Sequence, residues 1–356
     1  MVRQNAYQLQ KSRKLRFVAA ALLIALVIVG QFGGTVKAQS EITLTLAGFA
    51  VPREAYAEII PLFQAYWEQK TGQKVIFNES YIASGAQSRA IVGGFEADIA
   101  ALSISSDITR IVDAGLITTD WTDNTYKGIV TDSAVVLAVR KDNPKNILDW
   151  ADIAKEGVEV ITPDPATSGG AQWNLLGAYG AAKRGNVEGI EKGDEGALAF
   201  LAPLIKNVSV FDKDGRESFL TFERGIGDVA ITYENEAYSG QAAGTELEII
   251  RPKSTILIEN PIAVVDVYTE KHGTTEVAKA FVEFLYTPEA QTVFAQKGFR
   301  PLLEEVAKDA AFEGKFPEIA DLFTIEEFGG WGKVRKELFG DEGAITKLIA
   351  EVKGQQ

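Results

Sequence analysis

From residue 41 to about residue 290, short apolar runs alternate with segments of helical period. The runs predict strands at 42–46, 74–77, 98–102, 134–140, 158–162, 208–211, 229–233 and 262–268. The clearest helix covers 52–70, with Tyr56, Ile59, Ile60, Phe63 and Trp67 on one face and Gly72 just past its end as a stop signal. Pro61 interrupts that pattern and predicts a kink. Beyond residue 275 the pattern is mainly helical, over 275–294 and 333–353. Strand–helix alternation of this kind predicts an α/β fold with mostly parallel sheets. A chain of 356 residues suggests two domains. No Pro/Ser-rich linker divides it, which fits two lobes joined by more than one crossing.

The first forty residues follow a different rule. Arg3, Lys11, Arg13, Lys14 and Arg16 make a basic stretch, an unbroken apolar run of 13 residues fills 17–29, and small and polar residues lead to Val36-Lys37-Ala38. This is the order of a secretory signal peptide, with the cut after Ala38. The run is shorter than the roughly 18–20 apolar residues that span a bilayer. An uncleaved N-terminal anchor is the alternative reading.

Charge and composition narrow the function classes. The formal charge is −13, and residues 1–38 hold six Lys/Arg and no acid, so the remainder stands at −19. Such a polyanion does not favour nucleic acid or an anionic membrane surface. With no cysteine there are no disulfides, thiolate metal sites or cysteine nucleophile. One histidine and one methionine leave little for imidazole catalysis or metal ligation, and no cofactor is expected.

Three small-residue turns stand between a strand and a helix. They are Ser84-Gly85-Ala86-Gln87-Ser88-Arg89, Thr167-Ser168-Gly169-Gly170-Ala171-Gln172-Trp173-Asn174 and Asp212-Lys213-Asp214-Gly215-Arg216-Glu217-Ser218. Each would present free backbone N–H groups at the positive end of a helix, which suits an anion. Glycines 85, 169, 170 and 215 would allow close approach and positive φ. Taken singly, such a turn is an ordinary helix cap. Neither a phosphate-binding G-x-x-x-x-G-K-[ST] loop nor a dinucleotide fingerprint is present. His272, in the polar stretch Glu270-Lys271-His272-Gly273, reads as an exposed turn and not as a catalytic base. Glu234 and Glu236 read as cap or lobe-crossing acids, and Phe323, Phe328, Trp331 and Phe339 as packing residues.

Across roughly 41–350 the chain resembles the prokaryotic sulfate-binding protein family, the extracytoplasmic subunits of sulfate/thiosulfate ABC importers. The resemblance is carried by Pro52-Arg53-Glu54, Ser84-Gly85-x-Gln87, Glu96-Ala97-Asp98, Val139-Arg140-Lys141, Asn143-Pro144-Lys145, Val160-Ile161-Thr162-Pro163, Thr167-Ser168-Gly169-Gly170-Ala171, Gly227-Asp228-Val229, Glu234-Asn235-Glu236, Leu285-Tyr286, Arg300-Pro301 and Phe328-Gly329-Gly330-Trp331. It implies a two-lobed periplasmic binding protein fold of type II that closes on its ligand, with each lobe a mixed, mostly parallel sheet flanked by helices. The expected lobes are 41–131 plus 260–356, and 132–259. It also implies sulfate or thiosulfate as ligand, permease subunits as partners, no catalysis, a monomer, and a periplasmic or extracellular location. The alternative cargo is another oxyanion: molybdate, phosphate or an organosulfonate.

Carried over by motif, the ligand donors are the hydroxyl and amide of Ser84, the hydroxyl of Ser168, the amides of Gly169, Gly170 and Gly215, and Tyr233 where the family has an indole donor. Ala50 holds a place where the family often has an aspartate that binds through its backbone N–H. A donor-only site favours a fully ionised anion over one that keeps a proton, because an unsatisfied buried polar group costs on the order of 1–3 kcal/mol. The family signature Asn-Pro-Lys-(Ser/Thr)-Ser-Gly-Gly-Ala-Arg-Trp-Asn is altered here at Asp164, Ala166 and Gln172, which adds an acid and removes two cations. Asp164 is expected to point away from the anion.

Overall fold

The computed structural model describes residues 41–354. The signal-peptide reading of residues 1–38 lies outside the described residues. Ten strands, β1 (Glu41–Phe49), β2 (Lys74–Ile82), β3 (Ile99–Ala101), β4 (Ile129–Arg140), β5 (Val160–Pro163), β6 (Val208–Asp212), β7 (Val229–Tyr233), β8 (Leu247–Ile250), β9 (Ser254–Val264) and β10 (Asp321–Phe323), join in the order β2-β1-β3-β9-β4-β7-β5-β6. β8 pairs with β4, and β10 pairs with β9.

Pairing is parallel between β1 and β2, β1 and β3, β5 and β6, β5 and β7, and β9 and β10. Buried Leu44, Leu46, Ala47, Phe49, Ile99, Val160 and Ile161 show why: parallel strands under helices must be apolar on both faces. The helix Arg53–Thr71 buries Tyr56, Ile59, Ile60, Phe63 and Trp67, and Gly72 ends it at φ 74°, donating its N–H to the Glu68 carbonyl. Pro61 is accommodated on its exposed face.

Two lobes share β4 and β9. Residues 262–264 of β9 pair with β3, and residues 257–261 pair with 129–134 of β4. Residues 135–140 of β4 continue into pairing with β7 and β8. The chain therefore passes between lobes inside two long antiparallel strands, which explains the missing linker.

Several sequence readings need correction. The strand expected at 262–268 runs instead over Ser254–Val264, and Tyr268 lies in the helix Asp266–His272, because the apolar run continues through a strand end into a helix start. The apolar pattern does not mark β8 or β10. The helix expected over 275–294 is two, Thr275–Phe284 and Pro288–Gln296, with Thr287 capping the second. The pattern at 333–353 likewise divides around residues 340–343 before the helix Ala344–Gly354.

The C-terminal segment also makes contacts with the second lobe. Asp321 pairs with Arg184 at 2.6 Å, and Lys353 Nζ donates to the Val208 carbonyl at 2.7 Å. His272 is not in a free turn: its Nδ1 and Nε2 lie 2.9 and 3.0 Å from Asp98 Oδ1 and Glu96 Oε2. Those carboxylates raise its pKa.

Candidate functional site

The three turns start the helices Ser84–Val92, Gly169–Lys183 and Gly215–Glu223. In the first, Ala83 supplies no side-chain cap, and the first amide engaged from within is Gln87 N to the Ala83 carbonyl. The amides of Ser84, Gly85 and Ala86 precede that bond. In the second, Ser168 Oγ accepts from Ala171 N at 3.3 Å, leaving its own O–H and the Gly169 and Gly170 amides. In the third, Asp214 Oδ1 accepts from Glu217 N at 3.0 Å, leaving the amides of Gly215 and Arg216.

The turns meet across the lobes. A Cβ on Gly85 would stand 3.0 Å from the Thr167 carbonyl, and one on Gly169 would stand 3.0 Å from Ser103 Oγ. On Gly170 it would lie 3.4 Å from Ser168 Oγ and 3.5 Å from the Tyr233 ring, and on Gly215 3.2 Å from Val51. Close approach is thus what these glycines provide. The positive φ expected of them is absent at all four. Ala50 is half-buried and lines a cleft of about 470 Å³ with Tyr81, Asp214 and Arg216.

Ser103 ties the site together, and sequence reasoning missed it. Its N–H donates to Ser84 Oγ at 3.0 Å, and its Oγ lies 2.7 Å from Tyr233 Oη. Its carbonyl accepts from Trp173 Nε1 and Asn260 Nδ2, both at 2.9 Å. A signal was available: Ser103-Ile104-Ser105-Ser106 follows a strand and opens a helix, as the three glycine turns do. Burial raises the Tyr233 phenol above its usual range, so it remains a donor.

Ser84 departs from expectation in one respect. Its single hydroxyl hydrogen goes to Asp107 Oδ2 at 2.7 Å, so the amide is the donor left to this residue. Asp164 folds over its own turn, accepting from Ala166 N at 2.8 Å, and Ala166 is exposed. Gln172 Nε2 donates to the Pro165 carbonyl at 2.9 Å. These altered positions are engaged locally, outside the convergence of the helix starts. Glu234 is fully buried and held by Arg251 Nε at 2.6 Å and Arg300 Nε at 2.7 Å. Arg216 lies between Glu54 and Glu236, at 3.4 and 3.7 Å.

Two buried acids set a pH dependence. Burial pushes Glu236 up to about 7 and Asp132 up to about 8; Asp132 Oδ1 is buried without a hydrogen bond, and Glu236 Oε2 has Arg216 only at 3.7 Å. A carboxyl whose folded pKa lies above its unfolded value binds more protons when folded, so its contribution falls as pH rises from the unfolded toward the folded pKa. Replacing both with amides, Glu236→Gln and Asp132→Asn, should therefore flatten the loss of stability between about pH 4 and pH 8. Urea titrations at pH 5 and pH 8 check this; an unchanged difference between the two pH values would show that neither acid titrates there.

A family model described as bacterial extracellular solute-binding protein matches residues 44–300. The chain belongs to this family. It is 44% identical to the sulfate-binding protein of Synechococcus elongatus over 97% of this chain and 99% of that one. It is 41% identical to the Escherichia coli sulfate-binding protein, covering 86% and 93%, and 34% identical to the Pseudomonas aeruginosa thiosulfate-binding protein, covering 94% and 99%. The sulfate-binding protein SubI of Mycobacterium tuberculosis superposes with a TM-score of 0.75 at 42% identity, covering 85% and 100%. These relatives bear out the resemblance read from the motifs, and they are binding proteins. Among the described residues, no helix is long and apolar enough to cross a membrane.

Proposed function

We propose that this chain captures sulfate or thiosulfate between its lobes and delivers it to the permease of an ABC importer, without catalysis. The observation that carries the reading is the meeting of three helix starts, with neutral donors, across the lobe interface. A dianion leaving water loses strong hydration, and a shell of charge-assisted hydrogen bonds offsets that loss. The donors in this reading are the amides at Ala50, Ser84, Gly169, Gly170 and Gly215, the Ser168 hydroxyl, and the hydroxyl pair of Tyr233 and Ser103. That pair shares one hydrogen internally and keeps the other for the ligand. The names of the relatives supply the choice of sulfate and thiosulfate.

The chain would act as a monomer in the periplasm or outside the cell, after removal of residues 1–38. One lobe would comprise 41–131 with the segment from 260 to about 320, and the other 132–259 with 321–354, following the C-terminal contacts. Thermal unfolding of the mature chain with sulfate, thiosulfate, phosphate, molybdate and a sulfonate tests the reading. A ligand at 100 times its dissociation constant adds about 2.7 kcal/mol. Stabilisation by sulfate or thiosulfate supports it; stabilisation by molybdate, phosphate or the sulfonate alone would assign the site to that anion.

A further inference from the structure

Around Asp107 the chain gathers three guanidinium groups, Arg89, Arg110 and Arg335, with Asp341 as a second acid acting on Arg335. Asp107 is buried on the helix Ser105–Asp113, whose Ile108 and Ile111 pack with Ile91, Ala97 and Leu102 in the first lobe. Its Oδ2 holds the Ser84 hydroxyl at 2.7 Å, while its Oδ1 receives Arg110 Nη1 at 2.8 Å and Arg335 Nη1 at 3.6 Å. A third guanidinium, Arg89, folds back until its Nη1 lies 3.4 Å from where a Cβ on Gly85 would stand.

Arg335 comes from the other lobe. It follows Trp331, whose ring meets Trp173 edge-on at 4.6 Å, and buried Val334. The chain then continues into the helix Ala344–Gly354 and the Lys353 contact with Val208. The Asp107–Arg335 pair therefore spans the two lobes beside an anion-facing helix start.

We propose that Arg335 is a positioning residue for anion capture: carried on the second lobe, it closes onto Asp107 and fastens the carboxylate that holds Ser84 in place. Closure brings this guanidinium toward Arg110 and Arg89, and burial together with those like charges lowers its pKa. An anion at the neighbouring amides supplies negative charge that offsets the repulsion. The clasp thus favours closure on a loaded site over closure on an empty one. It also returns cationic charge that the 164–172 loop lacks, from the opposite side of the site. The inference rests on the proposed capture of sulfate.

Stopped-flow sulfate binding, followed by tryptophan fluorescence, tests it with Arg335→Gln and Arg335→Lys. For Arg335→Gln the dissociation rate should rise about 10-fold while the association rate stays within about 3-fold, since contacts made on closure act on release. Arg335→Lys should recover most of that loss, and the ligand-free melting temperature should match the parent chain in both. An unchanged dissociation rate would overturn the clasp, and so would a ligand-free melting temperature that falls in step with affinity. The parent chain measured alongside separates the two levels: failure of sulfate to bind it overturns the functional reading itself.

Discussion

Gly169→Val will weaken sulfate binding about 100-fold while leaving the ligand-free protein folded. A Cβ at this position would already stand 3.0 Å from both Cβ and Oγ of Ser103 and 3.3 Å from Ile104, and the γ-methyls of valine reach further. Gly169 opens a helix of the second lobe, whereas Ser103 follows β3 in the first, so the clash arises only when the lobes meet. Overpacking of this kind costs about 1–3 kcal/mol, and about 2.7 kcal/mol corresponds to 100-fold in affinity. Isothermal titration of the variant with sulfate, beside its ligand-free melting curve, gives both quantities. Parent-like affinity would show that the Gly169–Ser103 approach is no part of capture.

Glu234→Ala will destabilise the folded chain by about 3–5 kcal/mol, because it strands two guanidinium groups that share one buried carboxylate. Both side-chain oxygens are engaged: Oε1 by Arg251 Nε at 2.6 Å and Arg300 Nη2 at 3.2 Å, and Oε2 by Arg300 Nε at 2.7 Å. Arg300 also donates its backbone N–H to the Asp132 carbonyl on β4 at 2.7 Å, so the cluster anchors the strand on which the chain crosses between lobes. Against a total stability of about 5–15 kcal/mol, that loss is large. Urea unfolding of Glu234→Ala measures it; a change below about 1 kcal/mol would place the pair with weakly contributing surface ion pairs.

Local pattern made much of this molecule legible. Strand β7 and the helix Arg53–Thr71 follow directly from apolar periodicity, and the three glycine turns do stand at helix starts. Relationships set by the tertiary fold were not legible. Ser103 reaches Tyr233 across 130 residues and Asn260 across 157, and no local spacing encodes those bonds. The motif around Ser84 marks its hydroxyl as a ligand donor, while its partner Asp107 lies 23 residues on, where no local pattern shows it. The C-terminal helices announce an apolar face but not its partners, which the fold draws from both lobes: Asp107 for Arg335, Val208 for Lys353. At 262–268 one apolar run served two elements, and hydrophobicity alone could not mark the joint at Val265.

In the proposed site the anion meets amide and hydroxyl donors, which leave the proton of a protonated anion without a strong acceptor. Competitive isothermal titration of the mature chain with sulfate and phosphate near neutral pH tests it most directly. Sulfate should bind about 100-fold more tightly than phosphate, the upper range of the cost of one unsatisfied buried proton. Phosphate binding as tightly as sulfate would contradict capture by donors alone.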